Sequence, residues 1–572
     1  MPETIALADY LFTRLRQIGI QSIHGVPGDY NLTLLDHVKT AGLHWVGNCN
    51  ELNAGYAADG YARIKGAGAL ITTFGVGELS ALNSIAGAYA ELARVVHIVG
   101  TPTRQQQQSR ALIHHTLLDG DYSHFAKMYE PITVARANLA DPQTSAREID
   151  RVLQQCLLHS RPVYIQVPVD MVTAQLPADR LQLAIGLPEM LSSVVDDVLD
   201  RIMERVRSSK RPMILVDGEI TAYGILTEVD QFIRKSAWPT WTTAFGKGKV
   251  NESLPTFNGI WKGRYSSADH QAYIKSADLI LCFGPHFSGT NTYGGSTIPS
   301  EDVSVLIKAT AIQVGDQTFR DVPAKTIMTA LLDALRAASQ GLERTDLPSF
   351  PRPSQIQTPA HDCAVNQESF YRVLSRWLRP GDIVLAETGT PGHGCRDMLL
   401  PRGARLLAPV TWLSIGYMLP ATQGAALAQR EMVEAQSQDA PQPRTILLIG
   451  DGSFQMTVQE LSTIIRERLN VVLVLINNDG YTIERCIHGE TETYNDVAPW
   501  RYLSAPAFFG APDKGDKYRS VTGQVRTWGD LQEIMDSVDA VQIPQLAMVE
   551  VLMPREDAPE VLRDILSAQR AR

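Results

Sequence analysis

The stretch from Arg444 to Glu484, RTILLIGDGSFQMTVQELSTIIRERLNVVLVLINNDGYTIE, leaves this chain few folds to choose from. Its opening apolar run, Thr445 to Ile449, stops at Gly450-Asp451-Gly452. A run that short, bounded by glycine, suits a buried strand better than a helix. Val458, Leu461, Ile465 and Leu469 then recur on one helical face, with Gln459, Glu460, Arg466 and Glu467 elsewhere. A second apolar run, Val471 to Ile476, ends at Asn477-Asn478-Asp479-Gly480. Strand, helix and strand make a βαβ unit, whose parallel strands bring both polar ends to one edge of a sheet.

Open α/β sheets bind ligands at that edge. Asp451 brings a carboxylate, Asn478 an amide oxygen, and Gly480 a main-chain carbonyl that no side chain obstructs. Three hard oxygens on adjacent loops suit Mg²⁺, which completes its octahedron with water and phosphate oxygens. Asp, Asn and Gly are also turn and cap residues, and a lone GDG would say no more than that. The pairing of GDG with NN, each closing an apolar strand, favours a metal–diphosphate site.

GDGS followed by NNDGYTIE resembles the cofactor signature of thiamine-diphosphate enzymes, and the continuation ERCIHGETETYND resembles their pyruvate decarboxylase branch, its fungal members in particular. The resemblance covers almost the whole chain and is weakest between about Leu181 and Cys363. It implies thiamine diphosphate and Mg²⁺ as cofactors, with Asp451, Asn478 and Gly480 as metal ligands. Gly452, Ser453, Asn478, Tyr481, Thr482 and Ile483 become cofactor contacts by the same likeness, and Glu484 a catalytic acid.

With 572 residues the chain exceeds what one core serves. We expect an α/β protein of three domains, 1–180, 190–345 and 360–560, each with a mainly parallel sheet flanked by helices. The formal net charge of −10 argues against a nucleic-acid or anionic-membrane partner. No apolar run approaches the roughly 20 residues of a membrane span. MPETIALADYLF lacks a secretory pattern, and six scattered cysteines without a CxxC pair fit a reducing compartment, so the expected location is cytoplasmic.

Taken in order, residues 4–19 read as one helix with Leu7, Leu11, Leu15 and Ile18 on a face. Asp29 sits at the tip of the turn GVPGD, where residue type alone favours a helix cap; the resemblance places it towards the substrate. Glu51 opens a helix rich in small residues, ELNAGYAADGYAR, and is either a capping acid or a half-buried one in need of a partner. The likeness to the family's glutamate motif supplies that partner, the pyrimidine ring nitrogen of the cofactor. Gly75-x-Gly77 with Glu78-Leu79-Ser80, between two strands, mirrors the later module with Glu460-Leu461-Ser462, suggesting like topology at the two ends of the chain. In the known family a pyrimidine-binding and a diphosphate-binding domain pair in this way, the cofactor bridging two subunits.

Thr101 to Arg110 reads as a polar surface loop. The pair His114-His115 has no Cys or third His nearby at metal-ligand spacing, and its position matches the histidine pair that marks 2-oxo-acid decarboxylases. Asp29, His114, His115 and Glu484 thus form the implied acid/base set, with Glu51 acting on the cofactor. Asp170–Pro188 and 338–365 read as linkers. Fungal relatives that carry a regulatory cysteine have it where this chain runs Asp217 to Tyr223, which contains none. Trp412-Leu413-Ser414-Ile415-Gly416 resembles the loop that bends the cofactor, Leu413 offering a carbonyl and Ile415 a wedge. Thr390 falls at the diphosphate end, and Thr388, Gly392, Ile487 and Thr290-Asn291 at the substrate pocket.

The activity so implied is decarboxylation of a 2-oxo acid to an aldehyde in a homodimer or homotetramer. Small residues at Gly392 and Thr290 raise the alternative of larger acids such as phenylpyruvate or indolepyruvate. An acetolactate synthase is disfavoured by the histidine pair and NNDGYTIE, and a non-catalytic relative by the intact Glu51 and metal ligands.

Overall fold

The computed structural model describes residues 4–186, 194–337, 359–435, 443–512, 517–541 and 543–570. Three sheets organise them. The N-terminal sheet runs His44–Trp45, Ser22–Gly25, Gly68–Thr73, Val95–Thr101, Val163–Pro168, Arg136–Asn138. The C-terminal sheet runs Arg405–Leu407, Ile383–Ala386, Thr445–Gly450, Val471–Asn477, Gln545–Leu552, Arg519–Val525. In chain order the two are wound identically, and every pairing in both is parallel. The short Glu-Leu-Ser echo therefore reflects a repeated topology. The middle sheet has seven strands and is parallel from Phe257–Ile260 to Ser304–Ile307; its last two strands, Ala311–Val314 and Gln317–Arg320, fold back antiparallel. Central strands such as VVLVLIN are apolar throughout because helices cover both faces.

Four expectations need correction. The first helix spans Leu7–Gln17, because Thr4–Ala6 is a strand paired antiparallel with Gln175–Pro177. That second strand lies inside the stretch read as a linker. Thr101–Arg110 is not all loop: Thr103 caps a short helix, Arg104–Gln108, through a reciprocal bond with Gln106. The amphipathic run after GDG is broken into two helices, Asp451–Thr457 and Glu460–Arg466. The linker expected over 338–365 lies, up to residue 358, outside the described residues, as does the start of the middle domain near 190.

Helices Glu51–Lys65 and Met418–Glu434 occupy equivalent places in the two end domains and cross at close range. Only glycine permits this approach: a Cβ on Gly424 would overlap the Ala57 carbonyl oxygen, and one on Gly60 the backbone of Ala421. The small-residue run read from the sequence is thus the contact surface between domains. Gly424→Ala is expected to cost about 1–3 kcal/mol by forcing the helices apart, read as a lower urea midpoint; an unchanged midpoint would mean the crossing yields freely. No helix among the described residues is long and apolar enough to cross a membrane.

Candidate functional site

At the C-terminal edge of the C-terminal sheet, Thr445–Gly450 ends at Asp451 and Val471–Asn477 ends at Asn478, both buried. The Gly480 amide donates to Asp451 Oδ2 at 2.9 Å and the Gly452 amide to Oδ1 at 2.9 Å, so one carboxylate ties the two loops together. Burial raises the Asp451 carboxyl to about 6, against the pull of those two amides. Among the described residues no cation pairs with it. A buried acid without a counter-charge, beside an amide side chain and a main-chain carbonyl, is a donor set that fits a hard divalent ion. The Gly480 carbonyl also accepts from the Thr482 amide at 3.1 Å and keeps a second lone pair. Gly480 has φ 129° and its absent Cβ would overlap the Asn495 carbonyl, while a Cβ on Gly452 would overlap the Tyr481 ring. Asp451, Gly452, Gly480 and Tyr481 therefore meet.

The loop from Val410 to Gly416 leads into the same edge. Leu413 adopts a left-handed φ of 56°, a strained conformation for a branched side chain. Two buried acids hold the loop. Glu91 accepts from the amides of Val410, Thr411 and Trp412 at 3.0, 2.9 and 3.1 Å. Glu387 accepts from Thr388 at 2.8 Å and Met418 at 2.9 Å. Sequence reading missed both, although an acid directly after the apolar strand IVLA was a signal for Glu387. The Ser414 hydroxyl is turned to Tyr56 of the N-terminal domain at 2.7 Å, and Thr457 Oγ1 donates to the Gly416 carbonyl at 2.7 Å. Ser453 lies against Gly416. Ile415 is half-buried.

Thr388 Oγ1 is buried with no hydrogen-bond partner among the described residues, an orphan that an added polar group would satisfy. Gln367 Nε2 donates to Thr390 Oγ1 at 3.3 Å. Ile483 and Pro391 are the neighbours a Cβ on Gly389 would meet, each at 3.9 Å, and Ile483 packs under Ala558, Leu562 and Leu566 at the C-terminal helix. Thr482 donates to the Arg555 carbonyl at 2.9 Å. Two pocket expectations change. A Cβ on Gly392 would stand 2.9 Å from the Glu387 carbonyl, so packing alone demands glycine there. Asn291 is fully buried with its side chain bonded to Asp217, His286 and Phe245, which removes it from any open pocket. Thr290 precedes it in the same middle-domain turn, and Ile487 is exposed.

The N-terminal sheet carries the other set at its own C-terminal edge. Glu51 is the first residue of its helix, yet the cap is Asn50, whose Oδ1 accepts from the Asn53 amide at 2.8 Å. The Glu51 carboxylate is left half-buried, lying where a Cβ on Gly77 would be 3.0 Å away. Desolvation raises it above the ordinary carboxyl value, partly offset by its own amide and Ser80. Asp29 is not a cap either: the following helix starts at Leu32 with no side-chain cap, and Asn31 Oδ1 accepts from the Gly28 amide at 2.9 Å within the preceding turn. Asp29 instead bonds His114 Nε2 in a short contact and stands 3.7 Å from His115 Nε2. Tyr30 stacks on His114 with ring centres 5.1 Å apart, and His115 is held at φ 65°. The ligand atoms of Asp29, His114 and His115 all lie within 4.8 Å of one another. Glu484 is exposed on the C-terminal side. Among the described residues no hydrogen bond or ion pair joins Glu51, Asp29 or the histidines to Asp451 or Glu484 within one chain.

Two buried acids set a pH dependence for the cofactor-free fold. Burial raises Glu387 and Glu78 from the ordinary 4.5 to about 7. Each keeps its proton in the folded state where the unfolded chain has lost it. Their share of stability is therefore complete below about pH 4.5 and lost as pH rises through about 7. The melting temperature should fall between about pH 5 and 8, and Glu387→Gln should flatten that fall. A melting temperature that climbs over this range would contradict the assignment.

Three family descriptions match the chain: "Thiamine pyrophosphate enzyme, N-terminal TPP binding domain" over residues 5–124, the central domain over 199–335 and the C-terminal TPP binding domain over 392–509. A pyruvate decarboxylase of Aspergillus parasiticus is 53% identical over 570 residues, covering 99% of this chain and 98% of the relative. Pyruvate decarboxylase isozyme 1 of Saccharomyces cerevisiae is 38% identical over 561 residues, 98% of this chain and 97% of its own. Among solved structures, the thiamine diphosphate-dependent 4-hydroxybenzoylformate decarboxylase of Rhodococcus jostii RHA1 superposes with a TM-score of 0.74 at 19% identity, over 96% of this chain and 100% of that one. That last likeness speaks for the fold alone.

Proposed function

Since the chain belongs to the thiamine pyrophosphate enzymes, alongside the fungal pyruvate decarboxylases, we propose how its residues divide the work of decarboxylating pyruvate to an aldehyde and CO₂. The observation that carries the reading is the full-length similarity to pyruvate decarboxylases together with the buried, uncompensated Asp451 that joins the two C-terminal loops. Thiamine diphosphate, when bound with Mg²⁺, supplies the electron sink for loss of CO₂. Asp451, Asn478 and the Gly480 carbonyl would hold the metal. Gly452, Ser453, Thr390, Tyr481, Thr482 and Ile483 would line the diphosphate end, and the orphaned Thr388 hydroxyl would find its partner there. Leu413, fixed in its strained conformation, would present its carbonyl to the pyrimidine amine, with Ile415 keeping the rings apart.

Glu51 would hold a proton at the pyrimidine nitrogen; its half-buried position favours that protonated state. Asp29, His114, His115 and Glu484 would orient the 2-oxo acid and deliver a proton to the carbon that becomes the aldehyde. Because the two halves of the set do not meet within one chain, the site would be completed between subunits of a homodimer, or of a homotetramer built from such dimers. A cytoplasmic location accords with the relatives' kind of enzyme and with six cysteines that form no disulfide. Larger acids are not favoured, since Gly392 has a packing reason of its own. A steady-state comparison decides the specificity. Pyruvate should exceed phenylpyruvate in kcat/KM by about 100-fold or more, roughly 3 kcal/mol; equal values would overturn the choice of substrate.

A further inference from the structure

Glu78, of the first Glu-Leu-Ser motif, lies where the strand Gly68–Thr73 turns into the helix Val76–Ala90. That turn is packed against three segments that carry the proposed chemistry. A Cβ on Gly28, beside Asp29, would stand 2.6 Å from Thr73 Cβ. One on Gly75 would stand 2.2 Å from the His115 carbonyl oxygen, and one on Gly77 3.0 Å from Glu51 Oε1. Gly75 holds φ 69°, a region that favours glycine, and its amide donates to Glu78 Oε1 at 2.8 Å. A glutamate in the first turn of a helix commonly caps it in this way. Glu78 goes further than a cap requires. It is fully buried, and Tyr164, 86 residues further along, donates to its second oxygen at 2.6 Å. Tyr129 donates to the Glu78 carbonyl and stacks on Tyr164 with ring centres 4.9 Å apart. His97, also buried, lies against both rings, its Nε2 2.9 Å from Thr72 Oγ1 of the strand that leads into the turn. Among the described residues no cation pairs with Glu78. Burying a carboxyl in this way is costly, and what it provides here is a turn fixed from within the core.

We propose that Glu78, braced by Tyr164, is a positioning residue that sets the Gly75–Gly77 turn and, through it, the placement of Glu51 and His115. Glu51 and His115 lie on separate segments of the chain, so a spacer between them must hold their relative geometry. The turn is that spacer, touching the carboxylate of one and the main chain of the other. A displacement of about 1 Å in a group that acts in the transition state costs about 100-fold in rate. The inference rests on the role proposed for Glu51 above.

The test uses the holoenzyme, saturated with thiamine diphosphate and Mg²⁺. It reads kcat and KM on pyruvate, and the rate at which the thiazolium C2 proton of the bound cofactor exchanges with D₂O. That exchange reports the work of Glu51 without substrate. Tyr164→Phe removes one hydroxyl and keeps the ring stack. It should slow exchange and kcat together by about tenfold, with KM and cofactor affinity within about twofold of the parent. Glu78→Gln keeps an oxygen for the Gly75 amide and a polar group for Tyr164, and should stay within about threefold. A purely structural role would lower the melting temperature and leave exchange and kcat per folded chain unchanged. The proposal is overturned if Tyr164→Phe, folded by its circular dichroism spectrum, exchanges at the parental rate, or if Glu78→Gln is slowed more than Tyr164→Phe. Glu51→Gln separates the two readings. Slow exchange there beside parental exchange in Tyr164→Phe defeats the positioning role alone, whereas parental exchange in Glu51→Gln removes the role of Glu51 and this inference with it.

Discussion

Glu51→Gln should lower turnover on pyruvate by roughly 10²–10⁴-fold while leaving the fold intact. Glutamine keeps the shape of the side chain but has no proton to share. Nothing in the helix start depends on the carboxylate, because Asn50 makes the capping bond. The acid is only half-buried and its neighbours, Gly77 and Ser80, make no ion pair with it. The drop should therefore appear in kcat, with cofactor affinity and the circular dichroism spectrum close to those of the parent. Turnover within a few-fold of the parent would remove Glu51 from its assigned role.

Asp451→Asn should act one step earlier, on holding the cofactor. The carboxylate accepts two amides, from Gly452 and Gly480, and an asparagine turns one of those acceptors into a donor facing a donor. The variant also loses the charge that a divalent ion would neutralise. Thiamine diphosphate affinity in the presence of Mg²⁺ should fall by about 100-fold or more, about 3 kcal/mol. The cofactor-free protein should lose far less stability, because a buried acid raised to about 6 with no cation beside it is itself unfavourable. A variant that unfolds without cofactor, or binds cofactor normally, would contradict this.

How far the sequence could be read depended on the range of the interaction concerned. The apolar runs ending in GDG and NN specified two strands and their common edge, because burial on both faces leaves a nearly unbroken apolar signature. The repeated topology of the end domains was visible only as Glu-Leu-Ser, yet it proved to extend over six strands in each. Local competition decided the misses. Thr4–Ala6 carries a helical pattern but finds a strand partner some 170 residues away, which periodicity cannot register. Asn50 took the capping place that Glu51 could have filled, and the helix after Asp29 begins at Leu32 with no side-chain cap, so neither acid is spent on a helix start. Glu91 acts on a loop more than 300 residues away, so no spacing rule could have found it, and Glu387 left only its place after the strand IVLA as a signal. At Gly392 the sequence suggested a roomy pocket, where the fold shows a close backbone approach.

The most direct measurement is a crystal structure of the protein grown with thiamine diphosphate and Mn²⁺ in place of Mg²⁺, with the ion located by its anomalous signal. The expected result is one peak per chain between the Asp451 carboxylate, the Asn478 side chain and the Gly480 carbonyl, bridging to the diphosphate. A peak at Asp29, His114 and His115 instead, whose ligand atoms lie within 4.8 Å of one another, would contradict it.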